Sequence, residues 1–167
     1  KRYHPATRRF LRRAAALPVT GARSCYLHGA FLRGEMATGW RLVHGALLDL
    51  GPHLLDLLQA AVGEIRAVHA TGDPRRWVEL SCEHRGGAVS QASLSGTVNL
   101  PRPRTTLELF GPTGTLVYDT AELDHEECWP VLRAEFAAAV RAGRAGELSA
   151  AHGLRLQELL EQAGHGL

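Results

Sequence analysis

The chain has 167 residues, 45% of them hydrophobic, and carries 19 basic and 17 acidic side chains for a net charge of +2 with neutral histidines. That length and apolar share suit one globular domain, residues 1–167, and so small a net charge argues against a nucleic-acid surface. No apolar run approaches the roughly 18–20 residues of a membrane span, and Arg8, Arg9, Arg12 and Arg13 interrupt any signal-peptide core, so a cytoplasmic protein is expected.

Residues 5–16 suit a helix, with Pro5 in the first turn and Pro18 as the stop. Its arginines form a solvated face, and Phe10, Leu11 and Ala14 to Ala16 point inward. Residues 22–32 read as a strand, and Gly34 to Gly39 as a loop. Residues 45–61 are dense in leucine and form a second helix ended by Gly63. Strand signals follow at 65–71, at 77–83 with Val78, Leu80 and Cys82 on one face, and at 88–94 after a His84-Arg85-Gly86-Gly87 turn. Residues 105–110 and 115–118 pair around Gly111-Pro112-Thr113-Gly114. Helices at 128–142 and 149–162 close the chain, the second with Ser149 as its N-cap. Consecutive hairpins imply an α+β fold: an open, mainly antiparallel sheet with helices packed on one face. Segment 88–95 is small and polar on both faces, as a sheet surface used for a homodimer often is, or as one simply left in water.

The segment GALLDLGPHLLDLL, residues 45–58, holds the chemistry. Asp49 and His53 are four residues apart, which on a helix puts both on one face about one turn apart. Such a pair can orient a substrate hydroxyl and accept its proton, because an imidazole with a pKa near 6.5 is a base at neutral pH. The ordinary alternatives are a core histidine satisfied by a carbonyl and an aspartate serving as a local cap beside Pro52. Trp40 and Arg41, just upstream, can line a polyol pocket by stacking and hydrogen bonding, or serve as rim packing. His44 with Asp49 and His53 is the one spacing open to a three-ligand metal site. Histidines scattered through a chain are more often surface residues, and no metal is assigned.

Other chemistries lack their motifs. No GxGxxG opens a helix after a strand, and no phosphate-binding GxxxxGK[ST], GxSxG or HExxH occurs. Cys25, Cys82 and Cys128 are odd in number and far apart, so neither a disulfide framework nor a cysteine zinc site is expected. Lys1 is the only lysine, so a mechanism needing a buried lysine is expected to borrow it from elsewhere. Arginine in place of lysine, with abundant Ala, Gly and Leu, points to a GC-rich bacterial genome. The absence of an initiating Met leads us to expect a fragment or a processed product.

Four segments in this order resemble the C-terminal domain of the Gfo/Idh/MocA oxidoreductases, the glucose-fructose oxidoreductase and inositol dehydrogenase family. Arg2-Tyr3-His4-Pro5 is similar to the R-aromatic-x-P start of that domain. Residues 45–56 resemble its G-x-x-x-D-x-G-x-H-x-x-D signature, residues 107–114 its hairpin and residues 136–143 its penultimate helix. The chain departs from the family between Trp40 and Gly45, where only Gly45 stands for the two or three glycines usual before the signature helix.

The resemblance implies a substrate domain of an NAD(P)-dependent dehydrogenase acting on a sugar, cyclitol or related polyol. His53 would be acid/base, Asp49 the orienting or substrate-binding group, Asp56 structural, and Arg2, Tyr3, Trp40 and Arg41 substrate-binding. NAD or NADP and the catalytic lysine of a Glu-Lys-Pro motif would belong to an N-terminal Rossmann domain absent from this sequence. This chain alone would bind no cofactor. Implied partners are a small-molecule polyol, that Rossmann domain and further copies of the chain through the open sheet face, with no nucleic acid and no membrane. The alternative is a non-catalytic, stand-alone dimerisation or sugar-binding module.

Overall fold

A computed structural model describes residues 1–121 and 123–167. Six strands form one sheet in the order β2-β3-β4-β1-β5-β6. They are β1 Gly21–Leu27, β2 Ile65–Asp73, β3 Trp77–His84, β4 Val89–Ser95, β5 Arg104–Gly111 and β6 Gly114–Asp119. Neighbours run antiparallel except β1 and β4, which pair in parallel from Gly21–Val89 to Leu27–Ser95. Helices α1 Pro5–Ala14, α2 Gly39–Val62, α3 Cys128–Arg141 and α4 Ala150–Gly164 complete the chain, with a short 3-10 turn at His125–Glu127. This is the α+β architecture anticipated from the hairpins, with α2 and α4 packed on one face of the sheet and α1 against β6.

The pleat sorts the strands into two faces. Ala22 and Ser24 on β1, Val78, Leu80 and Cys82 on β3, Ala92 and Leu94 on β4, and Leu107 and Leu109 on β5 are buried toward the helices. Against them α2 lays Leu54, Leu55, Leu57 and Leu58, each at most 1% exposed. Each such side chain contributes roughly 1.5–3 kcal/mol by burial. Leucines surround this helix because it is covered on two sides, by the sheet below and by Leu156, Leu159 and Leu160 of α4 alongside. The opposite sheet face is mixed: Trp77, Val89, Phe110 and Val117 are exposed there among charged and hydroxyl side chains. Strand β4 is therefore not small and polar on both faces, because its even-numbered positions carry Ala92 and Leu94 into the core.

Several element boundaries differ from expectation. The strand expected over 22–32 stops at Leu27; the chain then turns, with His28 Nδ1 accepting from the Ala30 amide (3.1 Å) and Phe31 packed under Gly96. The helix expected from Gly45 begins at Gly39. Gly45 itself is not helical (φ 69°, ψ −168°) and joins two helical stretches at a kink. Its neighbour Ala46 donates to the Pro74 carbonyl (2.7 Å), so the β2–β3 turn sits against the bend. Helix α1 ends at Ala14, leaving Ala15 and Ala16 exposed rather than inward. Its buried face is Thr7, Phe10 and Ala14, with Phe10 stacked on Tyr118 of β6 at 4.9 Å. Ser149 is the N-cap of α4 by position, but its hydroxyl makes no capping bond. No helix among the described residues is long and apolar enough to cross a membrane.

Candidate active site

Asp49 and His53 lie on the α2 segment that crosses the C-terminal end of β1, the middle of the sheet. Pro52 stands between them and withholds the amide that would have closed a helical bond to Leu48. Asp49 is fixed from the other side of the kink, where Arg41 Nε donates to its Oδ2 at 3.1 Å. The two helical stretches thus meet in an ion pair as well as at Gly45. His53 turns its ring toward Tyr26 on β1, centroid to centroid 5.9 Å. Tyr26 meets the edge of His28 at 5.5 Å, and His28 in turn packs edge-on against Phe31.

Lys1 enters the same cluster. Its Nζ donates to Thr105 Oγ1 at 3.1 Å and lies 4.4 Å from the centre of the Tyr26 ring. Thr105 is the register partner of Tyr26 across β1 and β5, so both face the helices. Crowding by the protein, then the Lys1 ammonium, lower the His53 pKa, against the opposing pull of Asp49 and Asp56. His53 still presents part of its surface to solvent, and the shift favours a neutral imidazole ready to accept a proton. Burial raises the Tyr26 pKa, helped by the Asp49 carboxylate, which keeps the phenol protonated as a donor. Burial lowers the His28 pKa against the pull of Asp49. With its Nδ1 accepting a backbone bond, neutral His28 carries its proton on Nε2.

The remaining candidates divide. Arg41 belongs to the site through Asp49. Trp40 is 52% exposed, with its ring 5.4 Å from that of His44. Among the described residues no group of three or more His, Cys, Asp or Glu side chains is placed to hold a metal ion, so His44, Asp49 and His53 form no ligand set. Arg2 is 9% exposed and pairs with Asp56 (2.7 Å) and with Glu147. Asp56 also meets His152 Nε2 at 2.8 Å, so it ties α2 to the N-terminal segment and to α4. Tyr3 sits beside the Arg8 guanidinium. Arg2 and Tyr3 line a groove of about 460 Å³ between α1 and α3 whose walls include neither Asp49 nor His53.

Sequence reasoning did not single out Tyr26, His28 or Lys1 for this site. Tyr26 and His28 had one available signal, their i,i+2 spacing at the end of a strand. Lys1 had none, because its partners lie 25 and 104 positions away.

An open, mainly antiparallel six-stranded sheet backed by helices, with Asp49 and His53 one turn apart on the helix that crosses it, defines an α+β class of domain. Residues 21–117 match the model of the GFO/IDH/MocA C-terminal domain, and the chain belongs to that family. Solved structures with this fold include an oxidoreductase domain protein from Kribbella flavida (20% identity, TM-score 0.85, covering 99% of this chain and 62% of that one). They also include GenD2 from gentamicin A biosynthesis in complex with NAD (21%, 0.81, 99% and 59%). A third is levoglucosan dehydrogenase in complex with NADH and levoglucosan (16%, 0.85, 99% and 61%). The chain thus spans about three fifths of the length of these structures. No curated protein matches it.

Proposed function

We propose that this chain is the substrate-binding part of an NAD(P)-dependent dehydrogenase that oxidises a carbinol of a sugar, cyclitol or related polyol. The observation that carries the reading is the Asp49–His53 line on α2, held by Arg41 and facing Tyr26 and His28 at the end of β1. Family membership and the NAD, NADH and levoglucosan named with the structural neighbours support it.

Bound NAD(P) supplies the hydride acceptor, and its binding groups lie outside these residues, which include no Gly-rich loop between a strand and a helix. The residues present do the rest. His53, neutral at physiological pH, accepts the hydroxyl proton as the carbinol is oxidised. Asp49, held by Arg41, orients a hydroxyl next to it. Tyr26 and His28 offer donors to further hydroxyls, and Trp40 and Arg41, earlier on the same helix, are the remaining groups for a polyol. The open sheet face, with Trp77, Val89, Phe110 and Val117 among polar neighbours, is the surface for self-association.

The test is kinetic, on the protein with its cofactor domain, following NAD(P)H formation with levoglucosan, D-glucose and myo-inositol. His53→Ala is expected to lower kcat by roughly 10²-fold or more. An unchanged rate with only a lower melting temperature returns His53 to a packing role and overturns the reading.

A further inference from the structure

The charges around His53 do not cancel evenly. On its own helix, Asp49 is paired with Arg41 (3.1 Å) and Asp56 with Arg2 (2.7 Å) and His152 (2.8 Å). Both carboxylates nearest the ring are therefore already engaged by cations. From β1 the ring faces the phenol of Tyr26, with His28 behind it. From the N-terminal segment comes Lys1, and its partners at Nζ are neutral: the Thr105 hydroxyl and the Tyr26 ring. The Cys128 thiol and the imidazoles of His125 and His28 are further titratable groups within reach of its charge, and among the described residues no carboxylate forms an ion pair with Nζ.

We propose that Lys1 is a positioning residue for the chemistry of this site: its ammonium, seated on the same Tyr26 ring that His53 packs against, holds His53 in the unprotonated form that accepts a proton. The inference rests on the reading of His53 as proton acceptor. Thr105 fixes the height of the charge, being 2% exposed and locked in register with Tyr26. The ring face attracts the cation from below. Burial lowers the pKa of Lys1 to about 8, so the charge is present at neutral pH and fades in alkaline solution. The α-amino group of residue 1 also depresses His53 here, but its charge vanishes when a peptide bond precedes Lys1, whereas the Nζ charge stays. Through the shared ring, Nζ and the imidazole are no more than roughly 10 Å apart, close enough for one unit charge to move a pKa by roughly 0.3–1 unit.

The sign follows directly. A neighbouring cation disfavours imidazolium, so removing it raises the His53 pKa. The experiment titrates the His53 ring by NMR in the protein with its cofactor domain, for wild type, Lys1→Met and Lys1→Arg, with His53→Ala assigning the resonance. Lys1→Gln replaces Lys1→Met if the methionine variant fails to fold. The expected result is a rise of roughly 0.3–1 unit in the neutral variant and none in Lys1→Arg, whose guanidinium keeps the charge. The acid limb of kcat/KM should move with it. An unmoved His53 titration in Lys1→Met overturns the inference, as does a uniform rate loss with a fixed acid limb. Either result leaves the proposed function standing. That reading fails separately, if His53→Ala turns over at the wild-type rate.

Discussion

Gly45→Ala tests how the kink in α2 assembles the site. Gly45 has φ 69° and ψ −168°, a region of backbone space essentially confined to glycine. Forcing a side chain there costs on the order of 1–3 kcal/mol. A methyl group at this position would also stand 2.5 Å from the Pro74 carbonyl carbon, even closer to its oxygen and 2.8 Å from its Cβ. These are mostly backbone atoms of the β2–β3 turn, which cannot swing aside as a flexible side chain does, and the oxygen is the one that accepts from Ala46. Adding strain to a displaced turn gives a loss of about 3 kcal/mol or more, or a melting temperature lower by about 6–12 °C in a chain of this size. Gly39→Ala is the control: it lies in the same helix with open space around it, and should stay within about 1 kcal/mol of wild type. Urea unfolding followed by circular dichroism measures both. A Gly45→Ala variant as stable as the Gly39→Ala variant would show that the kink is not fixed by this residue. Gly45→Ala should also detach Arg41 from Asp49, and Gly45→Asn should give no rescue, because this ψ lies outside the left-handed helical region that asparagine tolerates and the clash with Pro74 remains.

Three further outcomes are expected. Asp56→Ala leaves the buried Arg2 guanidinium with the exposed Glu147 as its remaining carboxylate and should cost about 1–3 kcal/mol by urea midpoint, with Asp56→Asn intermediate; a loss below about 0.5 kcal/mol would mean that the Arg2–Asp56–His152 contacts contribute nothing. His84 is 3% exposed, with Nδ1 2.7 Å from the Gly63 carbonyl and Nε2 2.8 Å from Ser90 Oγ, and burial lowers its pKa below the ordinary 6.5. The unfolded chain therefore takes up its proton first, so the stability from His84 is complete above pH 6.5 and is lost as pH falls through the folded-state value; His84→Gln should flatten the decline of the urea midpoint below pH 6.5, and an unchanged slope would refute the assignment. Cys82 is fully buried, and its thiol pKa is pushed up to about 11, so a disulfide reagent at pH 8 should label at most two of the three cysteines until urea unfolds the chain; prompt labelling of all three would contradict the packing of β3.

What was legible in the residues was local. The alternation Val78, Leu80, Cys82 placed β3 correctly because one face is buried and the period of two shows through. The leucine density of residues 45–58 marked α2, and the D-x-G-x-H spacing marked the pair on it. What failed depended on partners distant in sequence. A glycine at the head of a leucine-rich run looks like the start of a helix, yet Gly45 is a bend inside one, and only the approach of Pro74 from the β2–β3 turn explains why a glycine is needed there. For the same reason residues 40–44 read as no element in the sequence, although Gly39 to His44 is helical and thereby carries Arg41 back to Asp49.

Ion pairing explains why the charged residues were the hardest to place. An arginine reaches far enough that its partner can lie anywhere, and Arg2 finds Asp56 54 positions on and Glu147 145 positions on. Taken singly, Arg2, Asp56 and Asp49 each look equally available to a substrate. In the folded chain Arg2 and Asp56 pair with each other, and Arg41 restrains Asp49, so Asp49 and His53 are distinguished by what their neighbours are already committed to. Lys1 follows the same logic in reverse. With no Glu-Lys-Pro around it, nothing in the sequence connects it to catalysis, and the expectation that any needed lysine comes from elsewhere is reasonable for a proton-transfer or nicotinamide-side role. The fold nevertheless seats its ammonium on Tyr26, and among the described residues no carboxylate pairs with it. A cation left uncompensated beside a histidine acts on that histidine's protonation, which is why the Lys1→Met and Lys1→Arg pair separates charge from packing at this site.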